Sequence, residues 1–558
     1  RSIMAADALR LVRQAVASPR VRVVAHADFV VGEVDPRLFG GFVEHVGRAV
    51  YGGIYDPSHP SASSDGFRGD VLELVRELEM PLMRYPGGNF VSGYNWEDGV
   101  GPVEARPPRL ELAWKAAEPN LVGTNEFVQW CARAGAAPYL AVNLGTRGAR
   151  EAQALVEYCN HPSGTRESEL RRRHGFDSPH RVKLWCLGNE ADGGWQLGAK
   201  TAEEYGRVAR EAAKMMKATD PTIELVVCGS SGAFMKSFGA WEYEVLTHTL
   251  PYVDYVSLHA YYHNEHHDTA RYLGRVDDLQ RQIRDVIATV DAVSARMKSS
   301  KRIHLALDEW NSWWGKPTPK RGAAEPSEEW TVGRPLLQEE YAMEDALFVG
   351  GVLITMLNHA DRVRIGCLAQ VVNAIAPIRT RDGGKAWRQT TFWPFALTSK
   401  YGRGTVLQLG VTDGAGCRYG CGEAPPHPSL VCAALLSPEG TELRVFALNR
   451  HLREALDLEV SFSGCVDPDG KGARLRRSES SAEGSAAGVE QQESSAATST
   501  PSIIDWVVLQ HDDLKAVNTE DNPDEVKPRS VEGATVNLGM LQAKLAPASW
   551  NLLRVRMR

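Results

Sequence analysis

The chain is expected to fold as a (β/α)8 TIM barrel with a C-terminal antiparallel β-sandwich, jelly-roll-like domain. Three observations predict this. Between residues 35 and 390, eight apolar, β-branched runs alternate with amphipathic stretches, the change of period that βαβ units produce. Beyond residue 390 the texture becomes short β-rich runs separated by turn formers, as in a sandwich. Two of the barrel runs, Trp185-Cys186-Leu187-Gly188-Asn189-Glu190 and Leu305-Ala306-Leu307-Asp308-Glu309-Trp310-Asn311, each deliver a glutamate where a polar loop begins. The carboxyl ends of barrel strands are where such folds keep their chemistry.

The strand candidates are 39–44, 82–85, 138–143, 183–188, 223–228, 255–259, 303–308 and 364–370. Helical patterns lie between them at 69–79, 125–134, 202–219, 275–298 and 338–357. In the first, apolar residues recur at helical spacing and Asp70 is placed to cap. The second domain takes strands at 405–410, 429–436, 442–449, 456–462, 503–509, 535–538 and 549–555. The run 21–29 has the same texture, so residues 21–34 are assigned to an N-terminal strand joining the sandwich, 35–390 to the barrel and 391–558 to the sandwich. The Ser/Ala-rich stretch 478–500 cannot bury enough apolar surface to order itself, and a mobile loop is expected across 470–502.

A chain of 558 residues exceeds what one hydrophobic core usually serves, which agrees with two domains. With 43% hydrophobic and 24% charged residues it has the balance of an ordinary soluble globular protein. Its net charge of −7 and lack of a basic stripe argue against a nucleic-acid partner. No stretch reaches membrane-spanning length, and Arg1-Ser2-Ile3-Met4 lacks the apolar core of a secretory leader. Cys131, Cys159, Cys186 and Cys228 sit in apolar patterns and read as reduced core residues, so a cytoplasmic location is expected. Cys417 and Cys421 are the one closely spaced pair, and without a second pair they do not make a zinc site.

Two glutamates on well-separated strands of one barrel suit glycoside hydrolysis, which needs an acid for the leaving oxygen and a carboxylate for the anomeric carbon. Glu190 is expected to be the acid/base and Glu309 the nucleophile, on the fourth and seventh strands. In a retaining enzyme the two carboxyls stand ~5–5.5 Å apart, and each raises the proton affinity of the other.

Around these lie Phe39-Gly40-Gly41-Phe42-Val43-Glu44-His45, Met83-Arg84-Tyr85-Pro86-Gly87-Gly88-Asn89, Tyr94-Asn95-Trp96, Ser257-Leu258-His259-Ala260-Tyr261 and Ala369-Gln370-Val371-Val372-Asn373-Ala374. In this order the motifs resemble the α-L-arabinofuranosidases of glycoside hydrolase family 51 over most of the barrel. The resemblance implies that Arg84 lies beside the nucleophile and that Glu44 and Asn89 hold furanose hydroxyls. Trp114 and Trp313 would wall the sugar pocket, and Gln370 would add a polar contact. His259 and Tyr261, two apart on a strand and so on one face, would support the nucleophile. Asn189 would bond the sugar's 2-hydroxyl. Each has a structural alternative: an ion pair for Arg84, pairing with Arg48 for Glu44, a turn role for Asn89, and a satisfied core imidazole for His259. The implied substrate class is arabinose-containing oligo- and polysaccharides such as arabinoxylan and arabinan, attacked from the non-reducing end. Neither a cofactor nor a metal is called for, His263-Asn264-Glu265-His266-His267 being read as a solvated loop. A homo-oligomer is expected, hexamers being one form the family adopts. The alternatives are an endo-acting glucanase or xylanase with the same carboxylate pair, and a non-catalytic sugar binder.

Overall fold

A computed structural model of the chain describes residues 18–313, 330–413, 418–420, 426–463 and 500–557. Trp314, Cys417, Cys421 and nearly all of the stretch assigned to a mobile loop lie outside the described residues. The chain divides into two compact units, Glu33–Arg403 with Leu509–Pro528, and the remainder on either side.

The first unit is a closed parallel barrel of eight strands in chain order. They are β1 (Gly40–Phe42), β2 (Leu82–Tyr85), β3 (Ala137–Ala141), β4 (Leu184–Cys186), β5 (Glu224–Val227), β6 (Tyr255–Tyr262), β7 (His304–Ser312) and β8 (Val363–Ala369). Each is followed by a helix: α1 (Gly69–Glu77), α2 (Thr124–Ala134), α3 (Ala149–Asn160), α4 (Ala202–Thr219), α5 (Ala240–Thr249), α6 (Val276–Arg296), α7 (Met343–Leu357) and α8 (Phe392–Tyr401). Strands covered by helices on one side and packed on the barrel interior on the other are apolar on both faces, and β2 to β5 are buried almost throughout. α6 buries Val276, Leu279, Ile283, Val286, Val290 and Val293, the stripe that helical periodicity requires. α4 starts in a capping box in which Glu204 accepts from the Thr201 amide at 2.9 Å.

Several strands differ from their expected lengths, and the differences in three of them bear on the site. β1 is short because Val43 donates to the Arg84 carbonyl and Glu44 turns its amide to Gln370 Oε1. β6 and β7 are long, since they remain paired to each other as far as Ser312 opposite Tyr262. β7 also carries a bulge. Its register passes from Ala306 opposite Ser257 to Glu309 opposite His259, and from Leu307 opposite Gly366 to Trp310 opposite Leu368. One extra residue breaks the alternation of side chains, so Asp308 and Glu309 both reach groups inside the barrel.

Two helix starts need correction. Asp70 is the second residue of α1 rather than its cap, and its carboxylate takes the Val71 amide and the Ser61 hydroxyl. α7 begins at Met343, five residues later than expected, because Asp345 accepts from the Ala342 amide and ends the preceding coil there. Every residue of α7 is buried, Glu344 and Asp345 included.

The assignment of all of 391–558 to the sandwich also needs correction. α8 belongs to the barrel unit, and so does Leu509–Pro528. That segment runs beside the start of α7, where Met343 and Glu344 donate to the Ala516 and Leu514 carbonyls, and Trp393 donates to the Val526 carbonyl.

The second unit holds a ten-stranded sheet. Arg20–Glu33 lies between Thr405–Asp413 and Leu456–Ser463 and pairs with the latter in parallel, Val21 opposite Leu458. Its first residues alternate, with Val21, Val23 and Ala25 buried and Arg20, Arg22 and Val24 exposed. One apolar cluster takes in side chains from strands along nearly the whole ladder. The sheet therefore folds over upon itself, which is the sandwich expected from the alternating pattern.

Candidate active site

The carboxyl ends of the barrel strands enclose a cluster of buried charge. Arg84 on β2 has no exposed side-chain surface. Its Nη1 donates to Glu309 Oε1 at 2.6 Å, its Nη2 to Asn189 Oδ1 at 2.8 Å, and its Nε lies 3.5 Å from Asp308 Oδ2. Glu309 Oε2 accepts from the Tyr261 hydroxyl at 2.8 Å. Asp308, also fully buried, takes the Tyr139 hydroxyl at 2.7 Å and faces His259 Nε2 at 3.4 Å. His259 Nδ1 donates to Glu190 Oε1 at 2.8 Å and stands 3.6 Å from Glu309 Oε2. Glu190, His259 and Glu309 thus present one ligating atom each within 4.8 Å of one another.

Glu190 follows β4 in a turn that only its neighbours explain. Gly188 has φ +98°, which favours glycine, and Glu190 itself has φ +40°. Strain of this kind in a non-glycine residue is typical of functional positions. Glu190 Oε2 accepts from Trp195 Nε1 at 2.7 Å. Asn189, its Oδ1 taken by Arg84, keeps a buried Nδ2 with no hydrogen-bond partner among the described residues.

The opposite wall centres on Glu44. Its Oε1 accepts from the Phe90 amide and Trp114 Nε1, both at 2.9 Å, and its Oε2 from Gln370 Nε2 at 3.2 Å. The glycines after Arg84 have a close-approach role. A Cβ on Gly88 would lie 2.7 Å from Glu44 Oε2. Asn89 opens a short 3-10 turn on this wall, half-buried, beside the Phe90 amide that Glu44 holds. Trp313 meets Tyr261 edge to face at 5.2 Å. The eleven residues singled out in the sequence thus lie on or beside these elements, Asn89 through its backbone position. Arg48 pairs with Asp382 rather than with Glu44.

The protonation pattern follows from these contacts. Burial pushes the Glu190 carboxyl up, and the Glu309 charge adds to it, against the opposing effect of His259 and Trp195. Burial alone would strip the His259 proton, but Glu309, Asp308 and Glu190 reverse that and hold it well above the imidazole range. Burial likewise opposes an ionised Asp308, yet Arg84, His259 and Tyr139 hold it below the usual carboxylate range. Glu44, with neutral donors around it, is pushed up to about 8 by burial first and the Glu309 charge second.

Two glutamates and a histidine could in principle hold a cation. In the structure, these three groups are instead joined to one another and to Arg84 and Asp308 by hydrogen bonds and ion pairs. Asn264 and Glu344 tie down the start of the His-rich loop, whose Glu265, His266 and His267 are exposed.

Comparison with known proteins agrees with this geometry. Residues 74–281 match the family model described as α-L-arabinofuranosidase 1 domain, and residues 308–549 match the α-L-arabinofuranosidase C-terminal domain. An intracellular exo-α-(1→5)-L-arabinofuranosidase of Halalkalibacterium halodurans is 48% identical over 95% of this chain and 98% of its own length. Its counterpart from Bacillus subtilis is 47% identical over 96% and 99%. A solved family 51 α-L-arabinofuranosidase from Bifidobacterium longum superposes with a TM-score of 0.85 at 37% identity, over 96% of this chain and all of that one. An arabinose complex of the Thermotoga maritima enzyme gives 0.80 at 31%. The chain belongs to the α-L-arabinofuranosidases of glycoside hydrolase family 51. It is a glycoside hydrolase.

Three further residues of this family 51 site were not singled out from sequence. Asp308 and Glu309 are consecutive, and a regular strand would send them to opposite faces. Only the bulge brings both inward, and bulges leave no pattern in a single sequence. Tyr139 on β3 looks like any apolar-strand aromatic until its hydroxyl meets Asp308. Trp195 did carry a signal, since Gly193-Gly194 precede it and a Cβ on Gly193 would strike its ring at 2.6 Å.

Asp308 is the anion that Arg84 and His259 share. Asp308→Asn is expected to lower kcat by about a hundredfold, the low end of the range seen for groups that set proton transfer. Removing an anion makes neighbouring protons easier to lose, so both limbs of the pH–kcat/KM profile should move to lower pH. A variant with lower kcat and unmoved limbs would assign Asp308 a purely structural role.

Proposed function

We propose that the protein is a retaining, exo-acting α-L-arabinofuranosidase that releases terminal non-reducing α-L-arabinofuranosyl units by double displacement. The observation that carries this reading is the approach of a Glu190 oxygen to within 4.8 Å of a Glu309 oxygen. That separation suits a nucleophile in direct contact with the anomeric carbon and leaves no room for the intervening water of an inverting enzyme.

In the first step Glu309 attacks the anomeric carbon, the glycosidic C–O bond breaks, and the Glu190 proton passes to the leaving oxygen. In the second, Glu190 takes a proton from water, whose oxygen displaces Glu309 and frees arabinose. Arg84 and Tyr261 fix the two oxygens of Glu309, so one lone pair is aimed at the ring. The free Nδ2 of Asn189 is a donor for the sugar 2-hydroxyl, a bond expected to strengthen in the transition state. Glu44, Asn89 and Gln370 hold the remaining hydroxyls, with Trp114 and Trp313 as walls. No step calls for a metal or organic cofactor, so activity should persist in EDTA.

Arabinan, arabinoxylan and their oligosaccharides are the substrates this reading implies, supported by the printed activities of the relatives, which include exo-α-(1→5)-L-arabinofuranosidases. The relatives described as intracellular favour a cytoplasmic location, and no helix among the described residues is long and apolar enough to cross a membrane. A homo-oligomer is part of the proposal.

Glu309→Ala should abolish turnover of nitrophenyl α-L-arabinofuranoside. Glu190→Ala should lose about 10²–10⁴-fold on an alkyl arabinoside, lose much less in the first step with a nitrophenyl leaving group, and form arabinosyl azide when azide is added. Undiminished hydrolysis of the alkyl arabinoside by Glu190→Ala would refute the assignment. Viscosity loss on xylan or glucan without hydrolysis of the nitrophenyl substrate would favour an endo-acting enzyme.

A further inference from the structure

Glu190 sits in a left-handed backbone, φ +40°, which a side chain makes costly and which lasts only where the surroundings enforce it. Trp195 and His259 hold its carboxyl. The turn itself is tied to the chain leaving β5, at one point before Glu190 and at another after it.

The first tie is an insertion into the barrel ladder. β4 and β5 pair as far as Cys186 opposite Val226, and the Leu187 amide still donates to the Val226 carbonyl at 2.9 Å. The next rung of a parallel ladder would run from the Cys228 amide to the Leu187 carbonyl. Instead the Tyr205 hydroxyl stands between them, accepting from the Cys228 amide at 2.9 Å and donating to the Leu187 carbonyl at 2.6 Å. The ladder is thereby widened by one oxygen just before Gly188, whose φ of +98° opens the turn. Tyr205 is delivered there by the first turn of α4, behind the Thr201 capping box, and its buried ring stacks on Trp241 of α5 at 5.5 Å.

The second tie is a clamp. The Asp192 carboxylate accepts from the Ser231 amide at 3.1 and 3.2 Å and from the Ser231 hydroxyl as well. Two donors on one residue fix direction as well as distance. Residues 228–231 are a firm base for both ties, because the Gly229 amide donates to the Ser257 hydroxyl on β6 and the Ser230 amide to Glu242 on α5. The Gly193 amide closes the turn on the Glu190 carbonyl at 2.8 Å.

Resting on the reading of Glu190 as the acid/base, we propose that Tyr205 and Asp192 are positioning residues that brace it. Their hydrogen bonds go to the backbone and to Ser231, not to a carboxyl of the catalytic pair. They act through the turn, fixing where the Glu190 carboxyl meets the leaving oxygen. Glu309 stands on β7 and is held by Arg84 and Tyr261. Loosening the brace therefore impairs protonation far more than nucleophilic attack.

The test compares kcat/KM of Tyr205→Phe, Asp192→Ala and Ser231→Ala on an alkyl and a nitrophenyl α-L-arabinofuranoside. Cleavage of the alkyl substrate needs the acid, whereas nitrophenoxide leaves with little help. Each variant should lose about tenfold on the alkyl arabinoside and less than about twofold on the nitrophenyl one, since a misplacement of about 1 Å costs up to a hundredfold. Placed in Glu190→Ala, where no acid remains to be positioned, the same substitutions should cost less than about twofold on either substrate. Asp192 and Ser231 lie in a loop, so their variants decide the matter if melting curves show that Tyr205→Phe does not fold. Equal losses on both substrates, no loss in any variant, or a full further loss in Glu190→Ala would overturn the brace. Equal losses on both substrates in Glu190→Ala itself would overturn the assignment of the acid, and the brace with it.

Discussion

The structure of this site depends on burying the guanidinium of Arg84. A charged side chain with no exposed surface is tolerated only when its hydrogen-bonding groups meet acceptors, because an unpaired buried charge costs several kcal/mol. Arg84 meets Glu309, Asn189 and Asp308, which come from β7, the end of β4 and β7 again. Satisfying one arginine on β2 therefore locks the strand that carries Glu309 to the turn that carries Glu190. Planar, forked donors suit this task, and a lysine could not bridge three acceptors in the same geometry.

The bulge in β7 makes that arrangement possible. Without the extra residue, Asp308 and Glu309 would point to opposite faces, and Arg84 and His259 would each lose an anion. With it, Asp308 stands between the arginine and the imidazole and links the Arg84–Glu309 pair to the His259–Glu190 pair. The prolonged pairing of β6 with β7 serves the same end, since it holds His259 and Tyr261 opposite Glu309 and Asn311 above the level where the other strands stop.

Much of this was legible in the sequence. The eight strands were placed within a few residues because apolar runs bounded by turn formers mark buried parallel strands whatever surrounds them. Nine of the eleven residues expected at the site lie in motifs of fixed order, most of them at strand ends, whereas Trp114 and Trp313 were singled out only by the family resemblance. What was not legible depends on the third dimension. The inward turn of Asp308 requires a register shift, and the meeting of Tyr139 with Asp308 requires barrel closure. The placement of Leu509–Pro528 against α7 joins segments far apart in the chain. The start of α7 was missed because Gln338, Glu339, Glu340 and Ala342 are good helix formers, and only the Asp345 carboxylate bonding back to Ala342 ends the coil.

Charge balance gives the site its final logic. The rim holds four carboxyl groups, on Glu44, Glu190, Asp308 and Glu309, and two cations, Arg84 and His259. A buried cluster of this kind is nearest neutrality when two of the four acids keep their protons. Burial raises Glu190 and takes Glu44 up to about 8, whereas Asp308 is held low by the cations it touches. Burial first and the Glu309 charge second raise Glu44, against the Phe90 amide and Trp114, which donate to it. A protonated carboxyl on that wall can donate as well as accept, which an ionised one could not do. Glu190 differs in having a charged partner, His259, which opposes the upward push of burial. In the proposed mechanism its proton passes to the leaving oxygen, and the negative charge left on the carboxylate is matched by positive charge developing on the sugar ring. The same balance that keeps the empty rim near neutrality thus favours the transition state of glycosidic cleavage.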